Sequence, residues 1–140
     1  MNYLHQELTE QIIQCFFEVY RQLGFGFLEK VYEHAMIIEL QRKGLHAKGQ
    51  RRTSVFYKGL PVGEYFADIV VEEAVIIELK TAETLVIEHE TQLINYLRAT
   101  NIEVGLLLNF GKKPEIRRKI FTNDRKTVQN TVDSGGNISK

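Results

Sequence analysis

The sequence predicts an α/β domain, a central mixed four-stranded sheet flanked by helices in the order α-α-β-β-β-α-β. Three observations lead there. Two stretches with apolar residues at helical spacing open the chain, three strand-like segments follow in close succession, and a further helical stripe leads into Val104-Gly105-Leu106-Leu107-Leu108. A continuous apolar run of that kind is typical of a strand buried on both faces, which calls for a parallel neighbour reached through a crossover helix.

Each element has its own signal. Ile12, Ile13, Phe16, Phe17, Tyr20 and Leu23 recur at helical spacing, and Gly24 is placed to cap the end. After Gly24-Phe25-Gly26, a second stripe of Leu28, Val31, Tyr32, Ala35, Ile38 and Leu40 stops at Gly44, with Glu29 near its start. Residues 50–57 read as a strand, Lys58-Gly59 as a turn, residues 62–71 as the return strand and 74–80 as a third, making a meander. From 86 to 100, Ile87, Leu93, Ile94, Tyr96 and Leu97 fit a helix ended by Asn101, which tolerates the left-handed conformation. After Phe121 the only aliphatic residues are Val128, Val132 and Ile138, so residues 1–121 form the expected domain and 122–140 a flexible polar tail.

Composition limits the function. A chain of 140 residues, 44% hydrophobic, suffices for one domain with one core. The single Cys15 excludes a disulfide within the chain, and no basic start followed by an apolar segment opens it, so a reducing cytoplasmic location is expected. No apolar run approaches the roughly 20 residues that span a bilayer, which argues against membrane function. Eighteen basic against eighteen acidic residues give no net steering toward nucleic acid. The charge is unevenly placed all the same. Eight acids and one base lie between Glu64 and Glu90, while Lys112, Lys113, Arg117, Arg118, Lys119, Arg125 and Lys126 gather later and Lys48, Arg51 and Arg52 form a smaller group. An acidic centre between basic flanks suits an enzyme that holds a cation and lays a polyanion across it; ordinary surface charge is the plain alternative.

The acidic centre contains an interruption. On a strand through 74–80, Ile76, Glu78 and Lys80 share one face and Val75, Ile77 and Leu79 the other. A carboxylate beside an ammonium at this point marks a solvated strand end, an ion pair, or a site where metal or substrate supplies missing charge. Asp68 on the preceding strand faces Glu78 only if Val71 pairs with Val75 across Glu72-Glu73-Ala74; a two-residue loop would put the carboxylates on opposite faces. That loop has no glycine for a left-handed position, so a bulge is expected.

A glutamate early in a helix, Asp68 on the second strand, Glu78-Leu79-Lys80 on the third, then Gln92-x-x-x-Tyr96 on a helix resemble the PD-(D/E)XK nuclease superfamily. Gly26-Phe27-Leu28-Glu29-Lys30-Val31-Tyr32 resembles the name pattern of its small bacterial GxxExxY proteins, and the similarity runs over residues 8–121. Ala67 stands where the superfamily's name implies proline. The resemblance implies a restriction-endonuclease-like core and a metal-dependent nuclease acting on DNA or RNA. The alternatives are a catalytically silent module that binds nucleic acid or protein, and a metal-free hydrolase using the carboxylates as acid and base.

Phosphodiester hydrolysis needs an activated water and charge neutralisation on the phosphate, which hard divalent ions held by carboxylates supply. Asp68, Glu78 and the backbone carbonyl of Leu79 are the expected ligands of Mg2+, with Mn2+ as substitute. Lys80 would sit by the attacking water. Glu29 could bind a metal water or a second ion; a helix N-terminal acid favoured by the macrodipole is the simpler reading. By resemblance, Gln92 orients Lys80 or substrate and Tyr96 touches a phosphate or base; a tyrosine packed on the sheet is the alternative. Tyr32 reads as core and His89 as surface. Arg117, Arg118, Lys119, Lys112, Lys113, Arg51 and Arg52 are the candidate nucleic-acid contacts. Whether the chain is a monomer or a homodimer stays open.

Overall fold

A computed structural model of the chain describes residues 4–126. Helix α1 (Gln6–Leu23) buries Ile12, Cys15, Phe16 and Val19 on one stripe, and it ends where the N–H of Gly24 donates to the Tyr20 carbonyl at 2.8 Å. Helix α2 (Glu29–Arg42) buries Tyr32, Met36 and Leu40. Strands β1 (Ala47–Tyr57) and β2 (Leu60–Val71) form a long antiparallel hairpin closed at Lys58-Gly59, where both residues have positive φ, the backbone of a tight two-residue turn. Strand β3 (Val75–Lys80) returns antiparallel to β2, and helix α3 (Ile87–Arg98) crosses over to β4 (Val104–Phe110), which lies parallel to β3.

The sheet has five strands, one more than the sequence reading allowed. Strand β5 (Pro114–Ile120) pairs antiparallel with β4 and completes the order β1-β2-β3-β4-β5. It is an edge strand whose sequence Pro-Glu-Ile-Arg-Arg-Lys-Ile is dominated by charge, and charged side chains are how exposed edges resist further pairing. That polarity hides it from a search for apolar alternation.

The helices cover both faces. Helices α1 and α2 pack on Ile69, Val71, Val75, Ile77, Leu79, Val104, Leu106, Leu108 and Phe110, while α3 packs on Val70, Ile76 and Leu107 through Leu93 and Leu97. All seven residues of β4 are buried, as its parallel central position requires. Phe110 is the hub of the first face: the Tyr32 ring stacks on it at 4.1 Å and the Phe16 ring meets it edge-on at 4.8 Å. On the second face, a Cβ placed on Gly105 would lie 2.7 Å from Leu93 Cδ1, so glycine lets α3 seat directly on β4.

Strands β2 and β3 pair as Ile69↔Ile77, Val70↔Ile76 and Val71↔Val75, the register that sets Asp68 opposite Glu78. No bulge produces it. Glu72 and Glu73 themselves take left-handed backbone, at φ 54° and 52°, and the Ala74 N–H closes the turn on the Val71 carbonyl at 2.9 Å. Left-handed conformation costs a residue other than glycine about 1–2 kcal/mol. Here the residues are held from outside: the Glu72 N–H donates to the His46 carbonyl at 2.8 Å, the Glu72 carboxylate accepts the His46 N–H at 2.5 Å, and Glu73 pairs with Arg51.

Of the expected tail, residues 122–126 lie against the domain. A short 3-10 turn (Asn123–Arg125) follows Phe121, Arg125 sits over the Phe121 ring, and Lys126 Nζ donates to the carbonyls of Thr100 and Ile102, both at 2.8 Å. Residues 127–140 lie outside the described residues. Among the described residues no helix is long and apolar enough to cross a membrane.

The close approach at Gly105 is testable. Gly105→Ala should destabilise the fold by about 1–3 kcal/mol, the usual cost of overpacking, read as a lower urea midpoint at unchanged slope. An unchanged midpoint would show that α3 is free to move off the strand.

Candidate active site

The ladder between β2 and β3 stops at Ile69↔Ile77, and the Asp68 side chain takes over where it ends. Asp68 Oδ2 accepts the Leu79 N–H at 2.7 Å, filling the place a backbone carbonyl would have held. A strand residue's N–H and C=O point the same way, so the Leu79 carbonyl also faces the Asp68 side. Alternation brings Glu78 back beside Asp68, and each carboxyl group shifts the other's pKa.

Glu78 is the unusual member. It is only 7% exposed, and its Oε1 is buried with no hydrogen-bond partner among the described residues. Burial, then the charge of Asp68, push its pKa up to about 9, against the opposing pull of the Asp68 backbone N–H and of Lys80. Burial also raises Asp68, with the Leu79 N–H working the other way and the charge of Glu33 adding to the rise. Lys80 follows Glu78 on β3, half-buried, and its charge acts on Asp68, Glu78 and Glu29 alike.

Glu29 is the first residue of α2 and is exposed at the rim of this group. Desolvation raises its pKa, Lys80 opposes the rise, and Asp68 and Glu33 add to it. Among the described residues no three His, Cys, Asp or Glu side chains gather at metal-ligand spacing. A divalent ion would therefore rest on two carboxylates and a carbonyl. An unpartnered carboxylate oxygen in a nearly dry position fits that donor set, since a buried ionised carboxylate requires a counter-charge.

Tyr96 reaches the group from α3, where burial and then the charges of Glu78 and Asp68 push its pKa up to about 12. Its ring lies flat on Tyr65 at 3.7 Å and 5°, and the Tyr65 hydroxyl donates to the Tyr96 carbonyl at 3.0 Å. Tyr65 has no periodicity or motif to mark it; only the pairing of β2 with α3 reveals it. The Gln92 side chain is exposed and makes no hydrogen bond with Lys80 or with any other described side chain; it borders a shallow depression with Glu88, His89, Thr91 and Asn95. His89 is more than surface, because its Nδ1 accepts the Val86 N–H at 3.2 Å and caps α3. Glu33 is the second residue that sequence reasoning passed over. It sits on the buried stripe of α2 with Tyr32, Met36 and Leu40, and a carboxylate on an apolar stripe was the available signal.

The basic residues do not form one surface. Arg117 and Lys119 both pair with Glu90 of α3, Arg117 at 3.8 Å, whereas Arg118 points to the opposite face of β5 and donates to the Leu4 carbonyl. Neighbours on a strand face opposite ways, so a basic run in sequence is not a patch. Arg51 pairs with Glu73 and Arg52 lies 3.6 Å from Glu64, leaving Lys112 and Lys113 exposed where β4 turns into β5.

A raised carboxyl pKa favours the protonated folded state. Glu78 thus contributes its full stability below the ordinary 4.5, and that contribution is lost as pH climbs toward about 9. The metal-free protein should melt at falling temperature across that window, and Glu78→Gln should flatten the slope. Parallel curves for the two proteins would show that Glu78 titrates normally.

The profile of the PD-(D/E)XK nuclease superfamily matches residues 6–119, and the chain belongs to that superfamily. A solved structure described as "Crystal structure of SSO0001" is similar in fold, with a TM-score of 0.52 at 19% identity over 67% of this chain. The match covers 50% of that protein, so this chain spans about half its length. No curated protein matches the sequence.

Proposed function

We propose that the chain is a metal-dependent nuclease of the GxxExxY kind, hydrolysing phosphodiester bonds in DNA or RNA at the Asp68–Glu78–Lys80 centre. The observation that carries this reading is Glu78 Oε1, a buried acceptor without a donor among the described residues, beside a second carboxyl group and an ammonium. Asp68, Glu78 and the Leu79 carbonyl would hold Mg2+ or Mn2+. When bound, such an ion neutralises phosphate charge and activates water.

The remaining work falls to the protein's own groups. The Asp68–Leu79 hydrogen bond fixes the end of β3, so that Glu78 and Lys80 are presented from a rigid strand. Lys80 then orients the attacking water and holds the developing negative charge on the phosphate. Tyr96, immobilised on Tyr65, borders the phosphate or the adjoining base. Glu29 at the rim receives a proton or orients water. Lys112 and Lys113 are the exposed cations available to the backbone, whereas Arg51, Arg52, Arg117 and Lys119 must first exchange their carboxylate partners.

A catalytically silent binding module is the second reading, favoured by the absence of a three-ligand cluster among the described residues and by the exposed Gln92 side chain. Metal separates the two. In the enzyme, millimolar Mg2+ should raise the melting temperature and Glu78→Ala should abolish the rise; superimposable curves with and without metal favour the silent module.

Cleavage is tested on a panel of labelled single- and double-stranded DNA and RNA with Mg2+, Mn2+ or chelator. Activity should require metal, which also excludes the metal-free hydrolase. Lys80→Ala should lower the cleavage rate by about 10²–10⁴-fold while leaving nucleic-acid affinity largely intact. A Lys80→Ala protein that cleaves like its parent would place the activity elsewhere.

A further inference from the structure

Glu33 is a carboxylate that the reading above leaves without a task. It is 6% exposed, comes from a different element than Asp68 and Glu78, and is held in one place. Gln50 Nε2 donates to its Oε1 at 2.7 Å and Lys30 Nζ lies 3.5 Å from its Oε2. The seat continues into the backbone of β1. Gly49 has no side chain, and the position its Cβ would take lies 3.1 Å from Glu33 Oε2 and 3.5 Å from the Asp68 carbonyl oxygen. Ile37 Cδ1 lies 3.0 Å from the same point, so the missing side chain lets α2 pack directly on β1 and brings the Glu33 carboxylate close to the backbone of Asp68. Gln50, which reaches across to Glu33, has a left-handed backbone at φ 53°.

We infer that Glu33, and not Glu29 alone, is the α2 carboxylate that supports the Asp68–Glu78 centre, as a fixed acceptor for the water shell of a bound divalent cation. The inference rests on the metal-dependent reading above. A hard cation such as Mg2+ keeps several waters when few protein oxygens hold it, and those waters need acceptors. Outer acceptors of this kind are effective when their own positions are locked. Glu29 is exposed on the first residue of its helix, so it must be immobilised at each binding event. Glu33, one turn later, is already desolvated, hydrogen-bonded to Gln50 and paired with Lys30. Its charge acts on Asp68 in the folded protein, which places it within electrostatic reach of the centre.

The test is Mn2+ binding by isothermal titration calorimetry on the full chain, with the metal alone as probe and metal-free melting curves alongside. Glu33→Gln keeps the shape and the acceptor for Gln50 but removes the charge. It should bind Mn2+ about 10–100-fold more weakly, with metal-free melting close to the parent's, and Glu29→Gln should lose less. Gln50→Asn provides a second route: asparagine tolerates left-handed backbone, yet its shorter side chain withdraws the donor from Glu33, so an intermediate loss is expected. Should Glu33→Gln fail to fold, Gln50→Asn decides alone, and parental affinity in that variant overturns the inference. Parental affinity in a folded Glu33→Gln overturns it equally. Glu78→Gln keeps the two failures apart. If the parent binds Mn2+ and Glu78→Gln does not, the centre stands whatever Glu33 does; if neither binds, the metal-dependent reading falls and this inference with it.

Discussion

The hydrogen bond from the Leu79 N–H to Asp68 Oδ2 is the contact on which the site depends. It stands where the β2–β3 ladder ends, and it does two things at once. It satisfies a strand N–H that has lost its backbone partner, and it fixes a carboxylate beside Glu78. Hydrogen bonds to a charged partner contribute about 1.5–3 kcal/mol, enough to hold one side-chain rotamer against its alternatives. The register that makes this bond possible begins three residue pairs away, at Val71↔Val75. That pairing in turn requires a three-residue loop whose two glutamates accept left-handed backbone because His46 and Arg51 hold them. A slip of one residue would send Glu78 to the other face and dissolve the site while leaving the apolar pattern of β3 almost as well buried.

Electrostatics follows from the same geometry. Burying Glu78 beside Asp68 is unfavourable for two charges, and the metal-free protein relieves it by retaining a proton. A group that holds its proton without metal and loses it to solvent when a cation takes its place couples metal binding to proton release. Such arrangements concentrate at functional sites, because nothing in packing alone favours an unpartnered oxygen under a helix. Elsewhere the molecule avoids the problem. Asn109, fully buried on β4, is satisfied by the Ala82 N–H and carbonyl and by Glu115.

Much of the fold was legible because its signals are local. The two N-terminal helices, the Lys58-Gly59 hairpin and the parallel position of β4 follow from period, turn residues and unbroken apolarity, whereas the Val71↔Val75 register was one of two open pairings that the structure decides. Strand β5 escaped because an edge strand made of Arg and Lys has the composition of a loop. The candidate site was legible as a motif and not as an environment: Asp68, Glu78, Lys80 and Tyr96 are brought together, but the Gln92 side chain makes no hydrogen bond to Lys80. Tyr65 and Glu33 lie near the centre only through tertiary packing, across β2 to α3 and across α2 to β1. The basic residues show the converse failure, since adjacent letters on a strand project to opposite faces and their nearest carboxylates are distant in sequence.

The central claim is that a divalent cation completes the buried carboxyl pair. Crystals soaked in Mn2+ and measured at a wavelength where manganese scatters anomalously test it directly. The account predicts one anomalous peak within coordination distance of both Asp68 and Glu78 and of the Leu79 carbonyl, lost in crystals of Glu78→Gln. A peak bound elsewhere, or none at this centre in well-soaked crystals, would contradict it.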